Sequence, residues 1–284
     1  MVKKPRRLKK LTLTRRIVQW SILLLFLSPM VLVKVESDNF FYGSLVSSSI
    51  FGISLTDPFA ALQILMATRE ISFVYMGGAL IIFLFYLLIR GRVFCSWVCP
   101  MNTLLELTDK LRRFIKLPNL ELNRHHKKYY AAAVIVLSFL IGIPLFEIFS
   151  PIGYIMKGLL FSAGIGMWLI VSIVLFELLV SKRGWCRYLC PLGGFYQSIG
   201  KAGLFQVKFD HDVCVGCDKC RSVCFSHPEI LEPGIFRESQ YIKDDDCSLC
   251  GACVDNCPFD ALEITVRETP IVTNQYYDKK SHQK

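Results

Sequence analysis

Twelve cysteines in 284 residues fall into two kinds of spacing, and each spacing implies a chemistry. Cys95-x-x-x-Cys99-Pro100 and Cys186-x-x-x-Cys190-Pro191 repeat one pattern, each where an apolar run ends. Cys214-x-x-Cys217-x-x-Cys220-x-x-x-Cys224 and Cys247-x-x-Cys250-x-x-Cys253-x-x-x-Cys257-Pro258 repeat another. Two-residue spacers let three sulfurs converge on one small inorganic body, and soft anionic thiolates are the donors that iron in a sulfide cluster prefers.

The second pattern matches the spacing by which bacterial ferredoxins wrap cubane clusters, with the fourth thiolate of each run reaching the neighbouring cluster. On that pattern Cys214, Cys217, Cys220 and Cys257 hold one [4Fe-4S] cluster, and Cys247, Cys250, Cys253 and Cys224 hold the other. One departure is that Cys224 is followed by Phe225-Ser226-His227-Pro228, so the adjacent proline is displaced while the ligands stay in place. Structural zinc would want four ligands in two paired knuckles, and disulfides are disfavoured in a reducing compartment. Two clusters side by side carry single electrons and have no substrate pocket of their own, so this part of the chain reads as a wire.

The first pattern leaves three readings open. Cys95 and Cys99, like Cys186 and Cys190, are four apart and would share one face of a helix. They are small apolar packing residues, redox-active thiol pairs, or four ligands that a repeat gathers into an additional redox or metal site.

These cysteines must be positioned by unusually apolar elements. The chain is 53% hydrophobic with a mean hydropathy of +0.42, which points to burial in lipid. Runs at 17–33, 73–89, 129–149 and 164–180 are each about long enough to cross a bilayer. Lys and Arg crowd the head (Lys3, Lys4, Arg6, Arg7, Lys9, Lys10, Arg15, Arg16) and the loop after the second run. Lys34, Arg69 and Lys157 are the sparse positive charges after the first and third. The charge bias puts both termini and the middle loop in the cytoplasm. The net charge of +10 therefore reports topology, and nucleic acid is not an expected partner.

The two halves of the apolar region repeat one order: a run, a loop containing proline (Thr56-Asp57-Pro58-Phe59, then Phe149-Ser150-Pro151-Ile152), a second run, basic residues, and C-x-x-x-C-P. Two spans per half make this a parallel repeat. After the first motif, Leu104, Leu105, Leu107, Leu111 and Phe114 fall on one side of an expected surface helix, with Lys110, Arg112 and Arg113 elsewhere. The fold class expected is an α-helical membrane protein of four transmembrane helices in two parallel repeats, joined to a small α+β two-cluster ferredoxin-like domain. Its expected domains are a basic cytoplasmic head (1–16), the membrane domain (17–203), the ferredoxin-like domain (204–268) and a tail (269–284). Short strands are expected at 207–209, 241–242 and 262–266.

A membrane repeat with two C-x-x-x-C-P motifs followed by a two-cluster module resembles the NapH family, the ferredoxin-type membrane subunit of periplasmic nitrate reductase systems. The residues carrying the likeness are Phe94-Cys95-Ser96-Trp97-Val98-Cys99-Pro100, Gly184-Trp185-Cys186-Arg187-Tyr188-Leu189-Cys190-Pro191 and the eight cluster cysteines. The resemblance implies a component of a quinol dehydrogenase in the inner (cytoplasmic) membrane. It would take electrons from a membrane quinol and pass them, with a NapG-like iron-sulfur partner, toward periplasmic nitrate reductase. The related CcoG type suggests the alternative of metal handling by copper reduction, and a passive redox scaffold is a third reading. Quinol oxidation releases protons, and Glu177, a carboxylate inside the fourth apolar run, is the candidate proton acceptor.

Overall fold

The computed structural model describes residues 9–32, 41–43, 47–50, 53–70, 73–115, 120, 123–155, 164 and 166–267. The expected tail, Lys3, Lys4, Arg6, Arg7, Lys34, Lys116 and Lys157 lie outside the described residues. The chain divides into two compact units. Within the described residues the first comprises 9–15, 86–96 and 197–267, and the second comprises 16–85 and 97–196. The cysteine-rich module thus includes a segment from the middle of the chain, residues 86–96, that the expected domain of 204–268 leaves out.

The second unit is mostly helical. Three short antiparallel strands, Phe41–Gly43, Ser47–Ile50 and Ile53–Thr56, form a meander in the stretch expected to be a loop. The helix Pro58–Thr68 follows at once, because Asp57 caps it: Oδ2 accepts the N–H groups of Phe59 and Ala60 at 3.0 and 3.1 Å, with proline in the first turn. Ser150 and Pro151 open a short helix at the matching place in the second half, the Ser150 hydroxyl accepting the Gly153 N–H at 3.4 Å. The repeat read from sequence therefore extends to its caps. Tyr196 then ties the halves together, donating its O–H to Asp57 Oδ1 at 2.6 Å while fully buried. Around this point Phe59 packs against the Phe146 and Phe195 rings at 5.7 and 5.2 Å between centroids.

The apolar runs become the helices Lys10–Leu32, Phe73–Ile89, His126–Ile141 and Gly166–Leu179. The third expected run is broken. Gly142, at φ +76, closes the helix on Ser138, Pro144 follows, and the chain turns through 101° into Leu145–Ile155. Among the described residues no single helix is both long and apolar enough to cross a membrane, whereas this bent pair passes that test together.

The helix Pro100–Ile115 starts at proline as expected, but its faces are used differently. Leu107 and Leu111 are 63% and 50% exposed, while Asn102, Thr108, Asp109 and Arg112 are buried. Arg112 reaches the carbonyls of Glu177 and Val180 and so satisfies the end of the helix Gly166–Leu179. Asp109 pairs with Arg183. Met101 and Leu105 are buried on the same side, so the inward face is mixed, and its polar residues are there because that is where their partners are.

In the first unit the strands Phe205–Phe209 and Leu262–Val266 pair antiparallel, and Tyr241 bridges to Lys208, close to the expected strands. Val207, Phe209, Ile230, Leu231, Ile242 and Leu262 form the core beneath them. A Cβ on Gly234 would stand 2.3 Å from the Phe209 ring, so only glycine permits this approach. The first turn of the helix Lys10–Leu32 is satisfied from the same unit, Asp255 accepting the N–H groups of Leu11 and Thr12 at 3.3 and 2.6 Å.

Candidate functional site

The two cysteine loops of the first unit share one backbone. In the first, Gly216 and Asp218 take left-handed conformations, at φ +66 and +56. In the second, Leu249 and Gly251 do so at the same two offsets from the leading cysteine, at φ +48 and +71. Each loop then enters a one-turn helix, Lys219–Ser222 or Ala252–Asp255, whose second residue is the third cysteine of its run, Cys220 or Cys253. Space around Gly216 is open, so glycine is there for its φ and not for room. Alternating left- and right-handed residues turn successive N–H groups toward one side, forming a concavity that suits an anionic body.

Cys214, Cys217, Cys220 and Cys257 line one such cavity, together with Ile235, Pro258 and Phe259. Those are the four cysteines expected to share a cluster, and they include the one that comes from the other run. The second set is buried more deeply. Burial pushes the Cys253 thiol well up, and the thiols of Cys250, Cys247 and Cys224 push it further, so these four feel one another. Burial likewise raises Cys220 to about 11, with Cys214 and Cys217 adding to it. Cys220 adds a smaller push of the same sign on Cys253. Crowded, dehydrated thiols are poorly placed to ionise alone and well placed to ionise onto iron. Cys257 Sγ accepts the Ala261 N–H at 3.4 Å, a contact of the kind that tunes a cluster sulfur. Among the described residues no three His, Cys, Asp or Glu side chains close around a single metal ion. The residues present fit iron-sulfur clusters, which would supply one-electron transfer.

The C-x-x-x-C-P pairs differ from expectation in their local structure. Cys95 lies in the one-turn helix Val93–Trp97 and Cys99 after it; Cys186 lies in the π-helical turn Trp185–Leu189 and Cys190 caps it in extended conformation. Neither pair shares a helix face. The following proline is the cause, since its ring disfavours helical backbone in the residue before it. The second cysteine of each pair therefore stands at the entrance of a new helix, Pro100–Ile115 or Pro191–Ile199. There Cys190 Sγ accepts the Gly193 N–H at 3.4 Å. Cys95 belongs to the first unit and Cys99, Cys186 and Cys190 to the second.

Cys95 is held by the cluster module itself. Ser96 Oγ donates to the Ser248 carbonyl at 2.7 Å, and Arg92 pairs with Asp246, the residue before Cys247. The matching Arg183, three residues ahead of Cys186, pairs with Asp109 and donates to Asn102 Oδ1 at 3.1 Å. These arginines went unremarked as site residues in the sequence, although R-x-x-C-x-x-x-C-P occurs twice. Glu177 is 2% exposed and accepts the Trp185 N–H at 2.8 Å, so it holds the turn that carries Cys186. His125 and His126 sit at the start of a helix, His126 against the Tyr130 ring.

A paired-loop cysteine module of this geometry defines a ferredoxin-type iron-sulfur protein that transfers electrons. Comparison with known proteins agrees. The family described as "4Fe-4S binding domain" matches twice, at residues 71–118 and 163–210, each match containing one C-x-x-x-C-P motif, and a second family of that description matches residues 241–263. The ferredoxin-type protein NapH of Escherichia coli is 35% identical over 89% of this chain and 88% of its own. The methylamine utilization ferredoxin-type protein MauN of Methylobacillus flagellatus is 35% identical over 88% of each, and NapH of Haemophilus influenzae is 33% identical over 89% and 88%. The chain belongs to the NapH and MauN family of ferredoxin-type proteins. No solved structure matches it.

Proposed function

We propose that this protein is a membrane-bound electron-transfer subunit that carries two [4Fe-4S] clusters on Cys214, Cys217, Cys220 and Cys257 and on Cys247, Cys250, Cys253 and Cys224. It draws electrons from a membrane quinol and passes them through a NapG-like iron-sulfur partner toward periplasmic nitrate reductase. The observation that carries the reading is the doubled cysteine loop, with left-handed residues at identical offsets, fused to a doubled helical repeat.

The membrane part is supported by outward apolar faces on several helices: Leu80, Ile81, Leu84 and Leu88 on one, Trp168, Leu175 and Leu179 on another, and Leu107 and Leu111 on the helix whose polar side is buried. Exposed apolar area on this scale is uncommon on proteins surrounded by water. The helix Phe73–Ile89 is about 25 Å long, and a bilayer core of ~30 Å thins or snorkelling residues compensate for such a mismatch. The charge bias of the sequence supports a cluster module on the cytoplasmic side. The C-x-x-x-C-P motifs supply further ligands or thiols for the route, a reading favoured by their falling within matches to a 4Fe-4S binding family. Glu177 takes up a proton released by quinol oxidation.

MauN relatives are as similar as NapH relatives, which supports a second reading in which the same wire serves methylamine metabolism. Adding a quinol analogue to the purified protein, with electron paramagnetic resonance as the readout, tests the proposal. Reduced cluster signals are expected on quinol addition, and clusters that reduce only with a strong soluble donor would remove the quinol step.

A further inference from the structure

Two arginines close to one another in the chain are buried in the cluster module on different terms. Arg92 is neutralised by Asp246, with neither side chain exposed. Arg90, 3% exposed, donates to three main-chain carbonyls instead: Phe205 at 3.0 Å, Ile242 at 3.2 Å and Asp244. Carbonyls orient a guanidinium but leave its charge whole. A buried cation held through carbonyls is costly, and an anionic group close by offsets that cost.

We infer that Arg90 is the counter-charge of the cluster held by Cys247, Cys250, Cys253 and Cys224, and that it raises the reduction potential of that cluster selectively. The inference rests on the two-cluster reading proposed above.

Three observations place the charge there. The strand end and the turn that hold the guanidinium run directly into the cysteine loop, Asp244 lying three residues before Cys247. The Asp244 carbonyl that receives the guanidinium also accepts the Cys247 N–H at 3.3 Å, so one carbonyl separates Arg90 from the first ligand of that set. The cysteines are also unlike in setting: Cys247 and Cys250 are buried, whereas Cys217 of the other set is exposed.

The electrostatic argument follows from charge alone. Reduction adds one electron to a body that four thiolates already make anionic. Burial in a low dielectric disfavours the more negative state and so lowers the potential. A fixed cation nearby favours that state and raises it. Water does the same work at the exposed set, where Cys217 is exposed. Arg90 thus keeps the buried cluster reducible by a donor that can reduce the exposed one, which a wire needs if an electron is to pass between them.

The test is a redox titration of the intact chain in detergent, followed by electron paramagnetic resonance. Cys217→Ser identifies the signal of the exposed cluster. Arg90→Gln is expected to shift the midpoint of the other cluster downward and leave the exposed one in place, and Arg90→Lys to restore most of the shift. An unchanged midpoint in Arg90→Gln, or an equal shift of both clusters, overturns the inference. Should Arg90→Gln fail to fold, Asp244→Asn removes the opposing charge while keeping an acceptor for the Asp246 N–H, which Asp244 Oδ1 receives at 2.8 Å. It is expected to shift the same midpoint upward, and no shift there counts against a charge-set potential. Wild-type protein with fewer than two cluster signals instead defeats the two-cluster reading beneath it.

Discussion

The guanidinium of Arg92 and the carboxylate of Asp246 form an ion pair in which neither side chain is exposed, joining the turn that carries Cys95 to the loop that carries Cys247. Ser226 Oγ also accepts from Arg92, at 3.1 Å, and His227 stands 3.7 Å from the same Asp246. The turn that carries Cys95 is thus built into the cluster module through one desolvated network. Removing one partner of such a pair strands the other charge. Arg92→Ala is expected to destabilise the module by about 3–5 kcal/mol. The double variant Arg92→Ala with Asp246→Ala should recover part of that loss. Denaturant titration of the cluster-loaded protein measures both.

Glu177 separates a structural role from a proton role by the choice of substitution. Its Oε1 accepts the Trp185 N–H, and glutamine keeps an acceptor there. Glu177→Gln should therefore fold and hold its iron while quinol oxidation slows by roughly 10²-fold, the usual scale for a lost acid-base group. Glu177→Leu should in addition cost about 1–3 kcal/mol by leaving a buried N–H unpaired. Wild-type turnover in Glu177→Gln would leave Glu177 with the turn alone.

The iron-free module has a pH dependence whose sign is fixed by its thiols. Cys220 is raised from 9.0 to about 11 by burial, with Cys214 and Cys217 adding to it. Below the ordinary thiol value the folded and unfolded chains hold the same proton, and the stabilisation is fully present. As pH rises through about 11 the folded module is forced to ionise a buried sulfur, and the stabilisation is lost. Thermal unfolding of iron-free protein should weaken over that window, while cluster-loaded protein, whose thiolates are already ligated, should not follow it.

The four thiols of the C-x-x-x-C-P motifs are tested together. With Cys95, Cys99, Cys186 and Cys190 all changed to Ser, iron and acid-labile sulfide per folded chain should fall below the wild-type content. An unchanged content would leave them as packing residues or a thiol pair. Cys190→Ser alone retains an acceptor for the Gly193 N–H, so the helix Pro191–Ile199 should persist and any loss can be assigned to sulfur.

Local features were legible in the sequence because local rules decide them. Spacing grouped Cys214, Cys217, Cys220 with Cys257, and these line one cavity. Pro100 marked a helix start, and Thr56-Asp57-Pro58-Phe59 and Phe149-Ser150-Pro151-Ile152 were legible as matching loops, whereas their role as helix caps and the helix opening at Pro191 were not. Pro100 and Pro191 also expel Cys99 and Cys190 from the preceding turn, a consequence that reading four-residue spacing as one helix face overlooked. Other features depend on distant partners. Arg92 meets residues more than a hundred positions away, and nothing in its own neighbourhood announces Asp246. The expected faces of the helix Pro100–Ile115 were not kept: Leu105 is buried on the side of Arg112, while Lys110 is exposed with Leu107 and Leu111, because buried polar partners decide that side and periodicity does not announce them. The break after Ile141 was written in Gly142 and Pro144, yet hydropathy averaged across them gave one uninterrupted run.

The central claim, a wire of two clusters on eight named cysteines, is tested most directly by redox titration of the intact protein with electron paramagnetic resonance and iron analysis on the same sample. The account predicts two [4Fe-4S] signals that broaden one another when both are reduced. It also predicts that Cys217→Ser perturbs one signal and Cys250→Ser the other. A single cluster, or zinc in place of iron with no reducible signal, would contradict it.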